Sequence, residues 1–235
     1  MERDRQIFRQ SCRAQLKAPC APQELYECAC GSFDRAKEYA AAGTVRTAAL
    51  FRFGALLFFY CESVAGPFSP EEAFPDFDRV LLQWPGEEVL RRWVGMRPVY
   101  WQQEPRDAED WERQCRPSLH IGRLARLLPS KENEYLYYHQ KLVEEGLHKG
   151  DRYQFIAIHE NYLFSYYEEP RTNVNIRRVE GVDSDVIREW VKADPASHFY
   201  RFYPGAEDFI HLPSLWIVQV HPDGIFLAPP LHPDR

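Results

Sequence analysis

A repeat within the chain limits its fold more than any other feature of the sequence. Short segments recur in the same order and at nearly the same spacing. The matches are residues 89–94 (VLRRWV) with 186–191 (VIREWV), 108–111 (AEDW) with 206–209 (AEDF), 117–119 (PSL) with 213–215 (PSL), and, upstream, 57–62 (LFFYCE) with 163–168 (LFSYYE). Self-similarity of this kind indicates duplicated supersecondary units. We therefore predict a tandem duplication with copies at residues 1–117 and 118–235.

The second copy shows the order of its elements most clearly, because the spacing of its apolar residues changes between that of strands and that of helices. Proline and polar turn residues separate the segments. The predicted elements are a strand at 121–127, a helix from Lys131, a hairpin with strands at 152–158 and 162–167, a helix at 184–192 capped by Asp183 or Ser184, and a strand at 214–221. This strand–helix–strand–strand–helix–strand order is that of the ferredoxin-like fold.

Two ferredoxin-like repeats predict an α+β protein in which one chain forms an α+β barrel. A four-stranded sheet of this kind covers one face with helices, and two copies can bury their other faces against each other. Loops at 62–77 and 170–175 would then lie at the rim of a cavity suited to a small molecule. Because the fused chain already buries the surface that a dimer would use, we expect a monomer with an internal pseudo-dimer.

Composition and charge exclude several classes of protein. Hydrophobic residues make up 45% of the chain and aromatic residues 14%, which is enough for a sizeable core. The net charge is -6 and the 29 basic residues are spread along the sequence, so we expect no nucleic-acid partner. The N-terminus is charged from its second residue, and the most apolar run contains Arg52. We therefore expect neither a signal peptide nor a membrane span.

The cysteines indicate a reducing compartment. Most of the 6 lie near the N-terminus, a distribution that fits cytosolic thiols better than a disulfide framework. Cys20, Cys28 and Cys30 form the one cluster, but it has neither a CxxC pair nor a nearby histidine. We therefore predict a cytoplasmic protein and name no metal ligands.

Tyr135 and His139 are the candidate catalytic residues. They are spaced i, i+4, so both side chains stand on one face of the predicted helix. Imidazole exchanges protons near neutral pH, whereas a phenol has an ordinary pKa near 10 and acts as a hydrogen-bond donor unless a cation such as Arg152 or Arg126 lowers that pKa. The alternative interpretation is that His139 is a satisfied core or surface histidine and that Tyr135 only packs.

The Tyr135–His139 pair is the first of several motifs that occur in a fixed order in the second copy. Residues 134–140 (EYLYYHQ) carry a tyrosine and, four positions on, a histidine followed by an amide residue; the segment 152–158 (RYQFIAI), the segment 163–168 and Trp190 come later. In these features the second copy resembles the L-rhamnose mutarotase family. The resemblance implies an α+β barrel, a monosaccharide ligand, no cofactor, and interconversion of sugar anomers by His139 and Tyr135. It is faint in the first copy, where we expect a degenerate site.

Five further residues are candidates for substrate binding. Aromatic side chains on the hairpin could stack against the apolar face of a sugar or simply fill a β-core. A shared acid, Glu168 or its match Glu62, could orient a ligand hydroxyl or pair with Arg123 and Arg13. The candidates are Tyr153, Arg152, Tyr166, Glu168 and Trp190.

Three functions stay open on the sequence. No glycine-rich phosphate loop, nucleophile elbow or HExxH motif is present in the sequence, which removes the common nucleotide, acyl-transfer and zinc-hydrolase classes. A sugar mutarotase predicts Tyr135 and His139 in a polar cavity with room for a monosaccharide. A non-catalytic small-molecule-binding protein predicts that they point away from a cavity, and a cofactor-independent monooxygenase-like barrel enzyme predicts a larger, mainly apolar one.

Overall fold

The computed structural model describes residues 6–146, 148–149, 151–170, 177–178 and 184–233. The protein is of the α+β class, and the strand pairings of the described residues are antiparallel. The chain forms two compact units. Unit 1 comprises Met1–Met96, Pro105–Arg116 and Pro213–Arg235, and unit 2 comprises Arg97–Glu104 and Pro117–Leu212.

Unit 1 is a sheet with one long helix. Strand β1 lies between β3 and the first residues of β4, and β2 pairs with both β3 and β12. Its elements are β1 (Ile7–Gln15), α1 (Pro22–Ala41), β2 (Val45–Phe53), β3 (Leu56–Val64), α2 (Pro70–Ala73), a 3₁₀ helix (Pro75–Arg79), the start of β4 (Val94–Trp101), β12 (Ser214–His221) and β13 (Gly224–Ala228). The predicted strand at 214–221 is confirmed, but it pairs with β2 of unit 1.

Aromatic side chains fill the space between α1 and the sheet of unit 1. Phe59 of β3 contacts Phe74 and Trp216 with ring centroids 5.4 and 6.1 Å apart, and Phe33 of α1 closes the cluster against Trp216. The indole of Trp216 donates to Ser32 Oγ at 2.9 Å, so its polar atom is satisfied inside the core. Burial of each large apolar side chain contributes about 1.5–3 kcal/mol.

The opposite face of β3 carries a buried carboxylate. Glu62 is fully buried and accepts two hydrogen bonds from the guanidinium of Arg113, at 2.6 and 3.0 Å. It also accepts from Tyr60 Oη at 2.7 Å and from Trp111 Nε1 at 2.9 Å. The cation that pairs with Glu62 through two hydrogen bonds is therefore Arg113, which the sequence did not predict.

The described residues of unit 2 form a sheet, two α-helices, two 3₁₀ helices and several short strands. Strand β8 lies between β5 and β7, and the last residues of β4 pair with β7. Its elements are the end of β4, β5 (Leu119–Leu127), a 3₁₀ helix (Pro129–Lys131), α3 (Glu132–Glu145), β6 (His148–Lys149), β7 (Phe155–His159), β8 (Tyr162–Glu169), β9 (Arg177–Arg178), α4 (Asp185–Lys192), a 3₁₀ helix (Pro195–His198), β10 (Phe199–Tyr200) and β11 (Ile210–Leu212).

The predicted helices and hairpin of the second copy are confirmed with small shifts. Helix α3 ends at Gly146, whose φ of 65° is the left-handed conformation that glycine adopts most readily at a helix end. Strand β7 begins at Phe155 rather than at 152, because the amide of Gln154 donates to the carbonyl of Asp151 and closes a turn there. Ser184 caps α4, and Asp183 lies outside the described residues.

The prediction of a second helix in the first copy is wrong. Residues 89–93 form a loop and Val94 begins β4, whereas the matching residues 186–191 lie within α4. Two contacts hold the loop: backbone hydrogen bonds join Trp84 and Arg91 in both directions, and the carboxylate of Glu71 accepts from the amides of residues 92 and 93. A Cβ at Gly86 would collide with the carbonyl of Val89. The order β1, α1, β2, β3 of unit 1 thus recurs in unit 2 as β5, α3, β7, β8 with the short strand β6 inserted, but the elements that follow differ.

Of the two predicted rim loops, the first is wrong and most of the second lies outside the described residues. Residues 62–77 are not one loop, because they contain the end of β3, the short helix α2 and the start of a 3₁₀ helix. Of residues 170–175, all but Pro170 lie outside the described part of the chain. The helices that are described include none long and apolar enough to cross a membrane.

Glu62→Gln should destabilise the protein by about 3–5 kcal/mol, because it leaves the buried guanidinium of Arg113 without its counter-charge. Urea denaturation measures this loss. Glu27→Gln is the matched control, since Glu27 and Arg79 form an exposed pair and such pairs contribute little to stability. Equal, small losses in both variants would contradict the role of Glu62.

The lowered pKa of the Glu62 carboxylate makes the stability of the fold depend on pH in the acid range. Burial alone would raise the pKa of Glu62, but Arg113, with Arg9 and Trp111, lowers it from 4.5 to about 2. Because the folded pKa lies below the unfolded one, this stabilisation is complete above the unfolded pKa and is lost as the pH falls through about 2. Stability should therefore fall less steeply with decreasing pH in Glu62→Gln than in the wild type. Urea denaturation midpoints, measured from above the ordinary glutamate pKa of 4.5 down to about pH 2, test this.

Candidate active site

A cavity of about 520 Å³ lies within unit 2, between the two helices and one face of the sheet. Its volume is in the range of small-molecule sites. Most of its walls are apolar, and its polar side chains belong to Arg123, Tyr135, His139, Gln154 and Asp208. The apolar walls are Leu142, Ile156, Ile187, Trp190, Val191, Pro195, Phe199 and Phe209.

Helix α3 places the two predicted catalytic residues in the wall of this cavity. Tyr135, His139 and Leu142 follow the i, i+4, i+7 spacing of one helix face, and all three are buried. The rings of Tyr135 and His139 are stacked, with centroids 3.8 Å apart and an angle of 22° between their planes. The spacing seen in the sequence therefore does bring the phenol and the imidazole together.

A backbone hydrogen bond determines which nitrogen of His139 can act on a ligand. Nδ1 lies 2.9 Å from the carbonyl oxygen of Tyr135. Because a carbonyl only accepts, Nδ1 carries a proton, and the lone pair of the neutral ring lies on Nε2. Nε2 is therefore the atom of His139 that can take a proton from a ligand or return one.

Tyr135 is set up as a neutral hydrogen-bond donor. Burial raises the pKa of its phenol well above the ordinary value, Arg123 acts in the opposite direction, and Asp208 reinforces the rise. The cation that lowers the pKa of this phenol is thus Arg123, a residue that the sequence did not suggest for this role. A phenol with a raised pKa holds its proton at neutral pH and is a poor base.

Helix α4 supplies the opposite wall. Ser184 caps this helix by accepting from the amide of Ile187 at 3.1 Å, and its hydroxyl donates to Glu145 at the end of α3 at 2.6 Å. Trp190 of α4 then meets Tyr135 and His139 edge to face, with centroids 5.8 and 5.3 Å away. Trp190, predicted as a substrate-binding residue, is therefore part of the cavity wall.

The sheet supplies the floor. Arg123 of β5 lies directly opposite Ser165 of β8 in the pairing register. Its guanidinium lies over the ring of Tyr167 at 4.7 Å and over that of Phe209 at 5.1 Å. Two aromatic faces thus hold this cation at the cavity.

The other predicted binding residues do not line the cavity. Tyr166 and Glu168 are buried on the opposite face of β8, where the hydroxyl of Tyr166 donates to the carboxylate at 2.9 Å. Strand alternation separates Glu168 from Arg123, which shares its face with Ser165, so the pairing of these two residues considered from the sequence does not form. Arg152 lies in the turn before β7 with its guanidinium near the ring of Tyr153.

Sequence reasoning missed part of the wall and most of the floor. Leu142 could have been found, because it continues the helical spacing of Tyr135 and His139. The floor residues Arg123 and Gln154 depend on how β5, β7 and β8 align, and Asp208 reaches the cavity from a loop. No local pattern predicts those positions.

Within the cysteine cluster of unit 1, Cys28 makes two hydrogen bonds. The thiol of Cys28 donates to the carbonyl of Asp76 at 3.1 Å and accepts from Arg79 Nε at 3.5 Å, and burial raises its pKa. The described residues contain no group of three or more His, Cys, Asp or Glu side chains arranged to hold a metal ion.

Comparisons with known proteins give few matches. No family model matches the sequence, and no curated protein does. Two solved structures align with it over nearly their whole length. One, a proposed monooxygenase from Fusobacterium nucleatum, has a TM-score of 0.40 and 8% identity over 97% of this chain and 99% of its own. The other, a proposed monooxygenase from Lactobacillus acidophilus, has a TM-score of 0.42 and 7% identity over 95% and 99%. Neither similarity, with a TM-score below 0.5, supports a shared function.

Because it is buried, Tyr135 should not ionise in the pH range in which exposed tyrosines do. Because burial raises its pKa, Tyr135→Phe should leave the phenolate absorbance of the folded protein unchanged through the range near pH 10 where ordinary tyrosines ionise. In concentrated guanidinium chloride the variant should lose the signal of one of the 13 tyrosines. A loss of that size in the folded state would show that Tyr135 ionises like a solvated phenol.

Proposed function

We propose that unit 2 is an enzyme in which His139 transfers a proton to or from a mainly apolar, ring-containing small molecule. The observation that carries this proposal is the stacked Tyr135–His139 pair in the wall of a cavity with mainly apolar surroundings. In an imidazole whose Nδ1 donates to a carbonyl, Nε2 is the nitrogen whose chemistry is that of a general base or acid. The neutral phenol of Tyr135 can donate to an oxygen of the ligand.

The apolar walls favour such a ligand over a sugar. A monosaccharide carries hydroxyl groups on most of its carbons, and each needs a partner when it leaves water. Leucine, isoleucine, valine and phenylalanine side chains supply none, whereas they match the faces of an aromatic ring. Removal of a proton from an activated ring gives an electron-rich anion, which is the type of species that a cofactor-independent oxygenase presents to dioxygen.

Sugar mutarotation is the second candidate, and one observation favours it. Tyr135 and His139 line the same cavity, as a mutarotase requires, and Arg123, Gln154 and Asp208 add polar groups to it. Ring opening of a sugar needs one proton delivered to the ring oxygen and another removed from the anomeric hydroxyl. The raised pKa of Tyr135 weakens the phenol as an acid in that pair.

We also retain the single-chain α+β barrel and the monomer as proposals. The strand–helix–strand–strand order of β1, α1, β2, β3 recurs as β5, α3, β7, β8, with only the short β6 inserted, and supports a duplication. Size-exclusion chromatography with light scattering tests the monomer, and a stable dimer would contradict it.

His139→Gln should remove base catalysis in unit 2. The probe is 5-nitrobenzisoxazole, an apolar ring whose C–H proton is taken by a base while the N–O bond breaks to give a nitrile and a coloured nitrophenolate. We expect the wild type to accelerate this opening over buffer and the variant to lose about 10²-fold or more of that acceleration, the usual contribution of a positioned general base.

His198→Gln is the matched control. His198 is also buried and also has Nδ1 near the carbonyl oxygen four residues earlier, at 3.1 Å from Asp194, but it does not line the cavity. It should keep the rate of the wild type. Exchange NMR on the anomeric protons of L-rhamnose tests the second candidate in the same variants. Sugar exchange that disappears in His139→Gln, without acceleration of the ring opening, would replace the first proposal by mutarotation. If the wild type shows neither activity, the non-catalytic binding protein is the alternative that remains.

A further inference from the structure

A loop of unit 2 brings a carboxylate to the cavity. The strands on either side of this loop both pair with β5, since β10 ends opposite Arg126 and β11 begins opposite Leu124. Residues 201–209, the β10–β11 loop, therefore leave the sheet at the edge of β5 and return to the same edge. At the returning end, Asp208 and Phe209 line the cavity.

The tip of the β10–β11 loop is a turn that its own residues favour. The amide of Ala206 donates to the carbonyl of Tyr203 at 3.0 Å, and Gly205 has a φ of 82°. The two central residues are Pro204 and Gly205, and proline followed by a glycine with positive φ is typical of a type II turn. The tip thus keeps its shape through its own backbone.

Arg201 ties the two ends of this loop together. Its Nη1 donates to the carbonyl oxygen of Ala206 at 2.9 Å and lies 2.7 Å from Oδ1 of Asp208. Burial raises the pKa of Asp208, and the charge of Arg201 opposes that rise. Arg201 therefore sets the position of the carboxylate and favours its charged form, which only accepts hydrogen bonds.

The carboxylate of Asp208 can accept a hydrogen bond from a ligand in addition to its contact with Arg201. Within the described residues Arg201 is its one ion-pair partner, and no other hydrogen bond to the carboxylate is made. The two oxygens of a carboxylate offer about four lone-pair positions. One guanidinium contact at Oδ1 therefore leaves acceptor positions for a ligand.

Tyr135 provides a second, independent sign of a ligand. Its side chain is 2% exposed and lines the cavity, and within the described part of the chain its hydroxyl has no hydrogen-bond partner. A buried hydroxyl without a partner is costly, and native structures rarely keep one without a reason. Burial raises the pKa of this phenol and the charge of Asp208 adds to the rise, so the carboxylate and the phenol lie near each other.

One hydroxyl group on a ligand would satisfy both side chains. The neutral phenol of Tyr135 donates and the carboxylate of Asp208 accepts, and a hydroxyl group can accept and donate at the same time. An ether or ketone oxygen would satisfy only the phenol. The mainly apolar walls make each of these hydrogen bonds stronger, because little water competes for them.

We propose that Tyr135 and Asp208 bind one hydroxyl group on the ring of the ligand, so that the ligand of unit 2 is a hydroxylated aromatic compound. Asp208 is the residue that distinguishes a hydroxyl from an ether, and Arg201 is the positioning residue that holds Asp208 in place. This inference rests on the proposed function of unit 2 as a site for ring-containing molecules. It adds the polar group of the ligand and the residues that select it.

Fluorescence anisotropy titrations with 2-naphthol and 2-methoxynaphthalene test the proposal, because these two fluorescent probes share a ring system and differ in the hydroxyl proton. At neutral pH an aromatic hydroxyl keeps its proton. The wild type should bind 2-naphthol at least about tenfold more tightly than its methyl ether, the ratio expected for one hydrogen bond to a charged group. Asp208→Ala should remove that preference and leave ether binding within about twofold. Asp208→Asn, which keeps the size of the side chain, should lose the larger part of it.

The other two residues should give different patterns. Tyr135→Phe should weaken both probes and keep their ratio, because the phenol donates to a hydroxyl and to an ether alike. Arg201→Met should weaken 2-naphthol alone, and Arg201→Lys should restore part of that loss because a cation remains. A merely structural role of Arg201 would change the affinities of both probes equally.

Glu207→Ala is the matched control for Asp208→Ala. Glu207 is the neighbouring acid of the same loop, but it is exposed and does not line the cavity. This variant should bind both probes like the wild type. Ether binding reports a folded, open cavity in each variant of Asp208, Arg201 and Glu207.

The outcomes separate the two levels of the proposal. Equal affinity of the wild type for both probes, or a preference for 2-naphthol that survives in both Asp208 variants, would overturn the hydroxyl site and leave the apolar site intact. A preference that Glu207→Ala removes as strongly as Asp208→Ala would show a general effect of charge in the loop and would also overturn it. Unchanged affinities in Tyr135→Phe would overturn the part of Tyr135. Binding of neither probe to the wild type would contradict the proposed function itself.

Discussion

The pairing register of β5 with β8 is the constraint on which the candidate site depends. Because strand side chains alternate between faces, a shift of one residue would exchange the two sets of side chains. In the observed register Arg123 and Ser165 share the helix side, while Tyr166 and Glu168 lie on the other. The chemistry of unit 2 is thus decided by strand alignment as much as by the helix that carries His139.

The sequence predicted the elements whose signals are local. Helix α3, the β7–β8 hairpin, helix α4 and strand β12 each have their own periodicity and turn residues, and their bounds agree with the structure to within a few residues. The spacing of Tyr135 and His139 likewise needs only the helix to predict that the two rings meet. Prediction succeeded where the deciding interactions lie within about ten residues of each other.

Prediction failed where distant contacts decide. Residues 89–94 and 186–191 have the same residue at four of six positions, yet 89–93 form a loop and 186–191 are part of a helix. The carboxylate of Glu71 lies 21 and 22 residues before the two amides that it binds in the first segment, so the segment's own sequence does not contain this partner. The cavity floor was missed for the same reason, since Arg123 and Gln154 gain their positions from strands that the sequence does not align. Tertiary contacts override propensity in both cases.

The order of segments in unit 1 has a consequence for its synthesis. Strand β2 pairs with β12, and Trp216 of β12 belongs to the aromatic core that covers α1. The ribosome makes the whole of residues 117–212 between the two. In the nascent chain the β2 edge and the apolar face of α1 therefore lack β12 until the residues of unit 2 have been made. Such a growing chain is the state in which this protein would most need a chaperone.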